Sequence, residues 1–159
     1  MNKTKYFKFN LKKIKNWKKK GKKIVVTNGC FDLLHPGHKY LLKKSKKKNE
    51  KLVVLINSDK STRAIKGSKR PFDNQFFRKK KIDLIKQVDI SIIFNQRTPL
   101  EMIKKIKPDI IVKGEDYKNK RVSGLKFIKK FNGCLRLIKF YKNYSTSKII
   151  KKKKKLYAK

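Results

Sequence analysis

His35 and His38 are the only two histidines in the chain. They close the segment Thr27-Asn28-Gly29-Cys30-Phe31-Asp32-Leu33-Leu34-His35-Pro36-Gly37-His38, directly after the apolar run Ile24-Val25-Val26. That order places both rings where a strand ends and a helix begins. Backbone N–H groups are unpaired at such a junction, and the helix dipole there favours negative charge. A metal site would need more ligands, and the two cysteines, Cys30 and Cys134, fit no metal spacing. A nucleophilic histidine would need an orienting carboxylate, for which Asp32 is near in sequence. Phosphate binding is the better reading. Imidazole N–H groups donate to phosphate oxygens as charge builds during a displacement.

The elements that must hold these residues follow from the apolar pattern. Leu11, Ile14 and Trp17 share one face of a leading helix near residues 10–20, stopped by Gly21. Strands are predicted at Ile24–Thr27, Leu52–Asn57, Ile90–Phe94, Asp109–Val112 and Leu135–Phe140. Helices are predicted from Pro36 or Gly37 to Lys48 (burying Tyr40, Leu41 and Leu42), over 74–87 (burying Phe77, Ile82 and Ile85), from Pro99 to Lys107, over 122–131, and from a Ser145 cap to Lys152. Ser61–Asp73 reads as a loop. Strand and helix alternate, so the expected fold is α/β: a single Rossmann-like doubly wound parallel sheet of about five strands with helices on both faces. The expected division is an N-terminal helical lead-in over 1–22, one domain over 23–152 and a basic tail over 153–159. Ligands in such sheets bind outside the carboxyl ends of the strands, where His35, Asp59, Asp116 and Ser145 would gather.

The formal charge of +39 comes almost wholly from lysine. Lysine, asparagine, isoleucine, phenylalanine and tyrosine are all plentiful, and all have AT-rich codons. Genome composition therefore accounts for the basicity, and no specific nucleic-acid partner is expected. A basic nucleic-acid-binding domain without catalysis is the alternative from a different class. No apolar run approaches membrane-spanning length, and the N-terminus has no apolar signal core. A cytoplasmic protein with reduced cysteines and no membrane partner is expected.

The His-Pro-Gly-His segment resembles the signature of the cytidylyltransferase-like nucleotidyltransferases. More narrowly, the chain is similar to the adenylyltransferase domain of the bifunctional heptose-phosphate enzymes of lipopolysaccharide synthesis. Four stretches carry that narrower likeness: Val54–Asp59, Lys66–Pro71, Asp109–Tyr117 and Tyr144–Ile150. The likeness implies transfer of AMP from ATP to a phosphorylated sugar, D-glycero-β-D-manno-heptose 1-phosphate, with release of pyrophosphate. A cytidylyltransferase of glycerol-, ethanolamine- or a related phosphate is the alternative within the same chemistry. Mg²⁺ on the triphosphate, a homodimer and a separate upstream kinase are also implied.

Carried onto this sequence, the resemblance implies that His35, His38, Arg78 and Lys46 are catalytic. It implies nucleotide contacts for Cys30, Phe31, Pro36, Gly37, Asp116, Ser145, Thr146 and Ser147. Asp32 and Asp59 would serve the acceptor or the site around it. Three departures stand out: Glu115 where the heptose branch has glycine, Phe76-Phe77 where polar residues are usual, and Lys142-Asn143-Tyr144 in place of Arg-Thr-Glu-Gly. The last weakens the cytidylyl alternative.

Overall fold

Runs of valine, leucine and isoleucine suit strands covered on both faces, and here they recur at intervals that leave room for a helix between them. A computed structural model of the chain describes residues 3–139. Helix α1 (Lys3–Lys19) leads into strand β1 (Lys23–Gly29), helix α2 (Pro36–Lys44) and strand β2 (Glu50–Asn57). Helices α3 (Asp59–Lys66) and α4 (Gln75–Asp83) come before strand β3 (Ile90–Phe94). Then follow helix α5 (Leu100–Ile106), strand β4 (Ile110–Gly114), a 3-10 turn (Glu115–Tyr117), helix α6 (Leu125–Lys129) and strand β5 (Cys134–Ile138). All strand pairs are parallel, in the order β3-β2-β1-β4-β5. This is the Rossmann-like α/β sheet expected from the sequence, with its topological switch point between β1 and β4.

Successive strand residues point to opposite faces, so each strand feeds two cores. One core joins Ile24, Val26, Val53, Leu55, Ile92 and Ile111 to Ile14 of α1, Ile103 and Ile106 of α5, and Ile128 of α6. The other joins Val25, Leu52, Val54, Ile56 and Val112 to Leu42 of α2 and Ile82 of α4. Leu11 and Trp17 flank Ile14, as the helical spacing predicts. Among the described residues no helix is long and apolar enough to cross a membrane.

Several boundaries differ from the sequence reading. The loop expected over 61–73 contains α3 in its first half. Ser58 caps that helix by accepting from the Ser61 amide at 3.2 Å, and Gly67, at φ 98°, ends it. The residues it buries, Ser61 and Thr62, are polar, so the cap carries the signal. Helix α1 begins well before residue 10. Helix α2 stops at Lys44 rather than Lys48, where the Ser45 hydroxyl donates to the Leu41 carbonyl at 2.7 Å. Leu42 is buried as expected, but Tyr40 and Leu41 are only partly so. Phe77 is 47% exposed rather than in the core, because Arg78, Ile82 and Ile85 take the inward face of α4. Helix α6 starts only after Gly124, at φ 82°. Strand β5 ends at Ile138, short of the expected Phe140; Phe140, the helix expected from a Ser145 cap and the basic tail lie outside the described residues.

Candidate active site

The turn after β1 is built to present α2 end-on. A Cβ on Gly29 would sit 3.2 Å from two carbons of the Phe31 ring, so any larger residue would press on that ring. Phe31 itself turns the chain at φ 48° and buries its ring. The ring meets His38 edge-on, with centroids 5.3 Å apart. His35 is the N-cap of α2, its Nδ1 accepting from the His38 amide at 3.3 Å, and Pro36 follows in the first turn. That bond leaves the proton of a neutral His35 on Nε2. The two imidazoles stack with centroids 3.6 Å apart and planes 24° from parallel.

Both rings are held neutral. Burial lowers His38 to about 3, helped by the neighbouring His35 and the Lys66 ammonium. Burial and Lys66 also lower His35. The Nδ1 of His38 is buried with no hydrogen-bond partner among the described residues. A stacked, uncharged pair at a helix N-terminus, beside a lysine, is arranged to receive an anion.

Arg78 does not face this opening. It is 1% exposed, and its guanidinium is spent on the protein. Nε donates to the Asp73 carbonyl at 2.9 Å, and Nη2 pairs with Asp59 Oδ1 at 2.8 Å. Nη1 donates to the Asn57 carbonyl at 2.8 Å and also to the Cys30 carbonyl. Arg78 thus ties the ends of β1 and β2 to α3 and the loop before α4, and it fixes the turn that carries the histidines. Asp59, at the first turn of α3, is committed to Arg78.

Asp32 plays a related part on the other side of the turn. Its buried carboxylate accepts from the Phe72 amide at 2.6 Å and lies 2.5 Å from the Arg70 guanidinium, so it straps the 70–72 loop beside the site. Asp116 lies in the 3-10 turn after β4, exposed and paired with Lys120 at 3.3 Å. Cys30 and Gly37 are partly buried and Pro36 is exposed, all along the β1–α2 junction. Ser145, Thr146 and Ser147 lie outside the described residues.

Lys46 is not brought to the histidines. It pairs with Asp89 at 2.5 Å, and Asp89 also accepts from the Leu52 amide at the start of β2. That is the amino edge of the sheet. Helix α2 runs from the carboxyl edge back to the amino edge, rising about 1.5 Å per residue, and carries Lys46 away with it.

Two further cations act at this edge of the sheet. Lys66, at the end of α3, acts on both imidazoles, and as one lysine among many it gave no distinct signal. Lys113 lies near the end of β4, 8% exposed, with Nζ 2.8 Å from Asn28 Oδ1. Its signal was legible: it is the only charge in the run Ile110-Ile111-Val112-Lys113-Gly114. Among the described residues no three His, Cys, Asp or Glu side chains group to hold a metal ion.

Known proteins bear on this geometry. Residues 26–152 match the Cytidylyltransferase-like family. The Bifunctional protein HldE of Campylobacter jejuni subsp. doylei is 47% identical over 135 residues, covering 85% of this chain and 28% of that protein. The protein of the same name from Koribacter versatilis is 41% identical over 142 residues, covering 89% and 29%. The chain therefore spans about three tenths of the length of these curated relatives. A crystal structure of the lipopolysaccharide core biosynthesis protein from Thermoplasma volcanium GSS1 superposes with a TM-score of 0.59 at 31% identity, covering 77% of this chain and 98% of that one. With its matched span, its parallel sheet and its paired histidines at the carboxyl edge, the chain belongs to the cytidylyltransferase-like family and is a nucleotidyltransferase.

Proposed function

We propose that the enzyme transfers AMP from ATP to D-glycero-β-D-manno-heptose 1-phosphate, giving ADP-heptose and pyrophosphate. The observation that carries the transfer chemistry is the stacked, neutral His35–His38 pair at the N-terminus of α2. The similarity to the HldE proteins supports the choice of acceptor.

In this reading an oxygen of the acceptor phosphate attacks the α-phosphorus in line. The bond from that phosphorus to the bridging oxygen of the β-phosphate breaks, and pyrophosphate leaves. The acceptor is already an anion, so no general base is needed, and catalysis is positioning and charge neutralisation. His35 and His38 donate N–H groups to the phosphate oxygens as charge moves onto the leaving group. An arriving triphosphate favours their protonation and adds positive charge where it is needed. Lys66 and the α2 dipole, which disfavour imidazole protonation in the free protein, add positive potential for the phosphates themselves. Mg²⁺ would be held largely by the triphosphate oxygens and water. Arg78 and Asp32 hold the turn and the adjoining loop in place. Asp116 and the hydroxyls of Ser145, Thr146 and Ser147 complete the nucleotide site. A kinase-class reaction must supply the acceptor phosphate.

The test is pyrophosphate release with ATP or CTP crossed against heptose 1-phosphate, glycerol 3-phosphate and ethanolamine phosphate. Turnover with ATP and the heptose is expected, and turnover with CTP alone would remove the assignment. His35→Ala and His38→Ala should each lower kcat by ~100–1000-fold, the loss typical of a preorganised donor to a developing oxyanion. Circular dichroism should show both variants folded.

A further inference from the structure

The crevice between β1 and β4 contains a buried cation, Lys113, with which no carboxylate among the described residues forms an ion pair. Strand β1 pairs with β2 along its whole length, from Lys23 to Gly29. With β4 it pairs only through Val25–Ile110 and Val26–Ile111. Beyond those pairs the strands part at their carboxyl ends, and side chains bridge the gap. Thr27 Oγ1 donates to the Val112 carbonyl at 3.0 Å. Lys113 Nζ donates to Asn28 Oδ1 at 2.8 Å and to the Asn28 carbonyl at 3.3 Å. An ammonium has a third donor and a full charge, and a neutral amide does not neutralise it.

Other neighbours do not neutralise it either. The Tyr117 ring lies 4.8 Å away and has Lys120 near it as well, at 5.3 Å. Asp116 acts on Lys113 but is ion-paired with Lys120. Cys30, from the turn after β1, is the other titratable group facing it. Among the described residues no carboxylate forms an ion pair with Lys113. A charge buried without a partner is costly, and a protein rarely carries one to no purpose.

We propose that Lys113 is a substrate-binding residue whose counter-ion is a phosphate group of the bound nucleotide or of the acceptor. The proposal rests on the transferase reading above. It explains why a lysine stands in an apolar strand at the switch point, where such sheets bind their ligands. It also has a consequence for proton binding. Burial lowers Lys113 to about 8, against the raising effects of Asp116 and Cys30. A bound phosphate restores the charge, so binding takes up a proton near that pH.

The experiment is isothermal titration calorimetry at pH 8 in two non-phosphate buffers of different ionisation enthalpy. The full chain is titrated with α,β-methylene-ATP plus Mg²⁺ and, separately, with heptose 1-phosphate. One of the two should bind with uptake of about half a proton, since Lys113 is then half charged in the free protein. In Lys113→Met that uptake should vanish and affinity for the same ligand fall about tenfold or more. Lys113→Arg keeps the charge at all pH, so it should retain affinity and lose the uptake. Which ligand shows the effect identifies the source of the phosphate. Unchanged affinity and proton uptake in Lys113→Met, or no uptake by the unsubstituted protein, would overturn the proposal. Loss of affinity in Lys113→Met alongside no ATP-dependent turnover would instead reject the adenylyl reading and keep the anion role.

Discussion

The chemistry of the proposed site depends on His38 being neutral until a phosphate arrives. Its pKa, near 3 against an ordinary 6.5, has a measurable consequence for stability. The unfolded chain binds a proton on this ring below pH 6.5, and the folded protein does not until about pH 3. The stability contributed is therefore complete above pH 6.5 and is lost as pH falls toward 3. His38→Asn should flatten the urea-unfolding free energy across that window, relative to the unsubstituted protein. An equally steep acid limb in the variant would place the titration elsewhere. Arg78 shows how residue type and role separate. An arginine in a lysine-rich chain is conspicuous, and the resemblance read it as catalytic. Four of its hydrogen bonds go to protein atoms, which favours a positioning role over direct contact with substrate.

Individual elements carry their own constraints. Gly124 starts α6 at φ 82°, and a Cβ there would lie 2.7 Å from Ile103 Cδ1 of α5. Gly124→Ala should cost about 1–3 kcal/mol by overpacking and backbone strain together. Adding Ile103→Val should recover only part of that in chemical denaturation, because the positive φ remains. At the amino edge of the sheet, Asp89 gathers Lys46, Lys51 and the Leu52 amide. Burial would raise its carboxyl, but these partners hold it below the usual range. Asp89→Asn should lower stability by about 1.5–3 kcal/mol, the value of hydrogen bonds to a charged group. It should leave kcat for pyrophosphate release unchanged, since this cluster lies across the sheet from the histidines. The strands and most helices were legible because their signal is local: continuous apolar runs in strands, inward spacing in helices, a cap or a glycine at an end. Helix α3 was not, because the residues it buries, Ser61 and Thr62, are polar and only Ser58 marks its start.

The charge belongs to the whole molecule. The chain has 49 basic and 10 acidic side chains, so most cations have no partner and repel one another. Raising NaCl from about 10 mM to about 150 mM shortens the screening length from about 30 Å to about 8 Å and should raise Tm. A scanning-fluorimetry series would check this, and a Tm that falls with salt would mean that attractive pairs dominate. The α/β class, the strand positions, the two-histidine junction and the reaction family can be read from the chain alone, because these depend on neighbours a few residues apart. Which charges share an edge depends on contacts between distant parts of the chain. The fold carries Lys46 to the far side of the sheet, turns Arg78 inward and bonds Lys113 to Asn28, with no ion-paired carboxylate among the described residues. The physical reason is the strand order: β1 and β4 become neighbours across 85 residues of chain, a contact that no local spacing encodes.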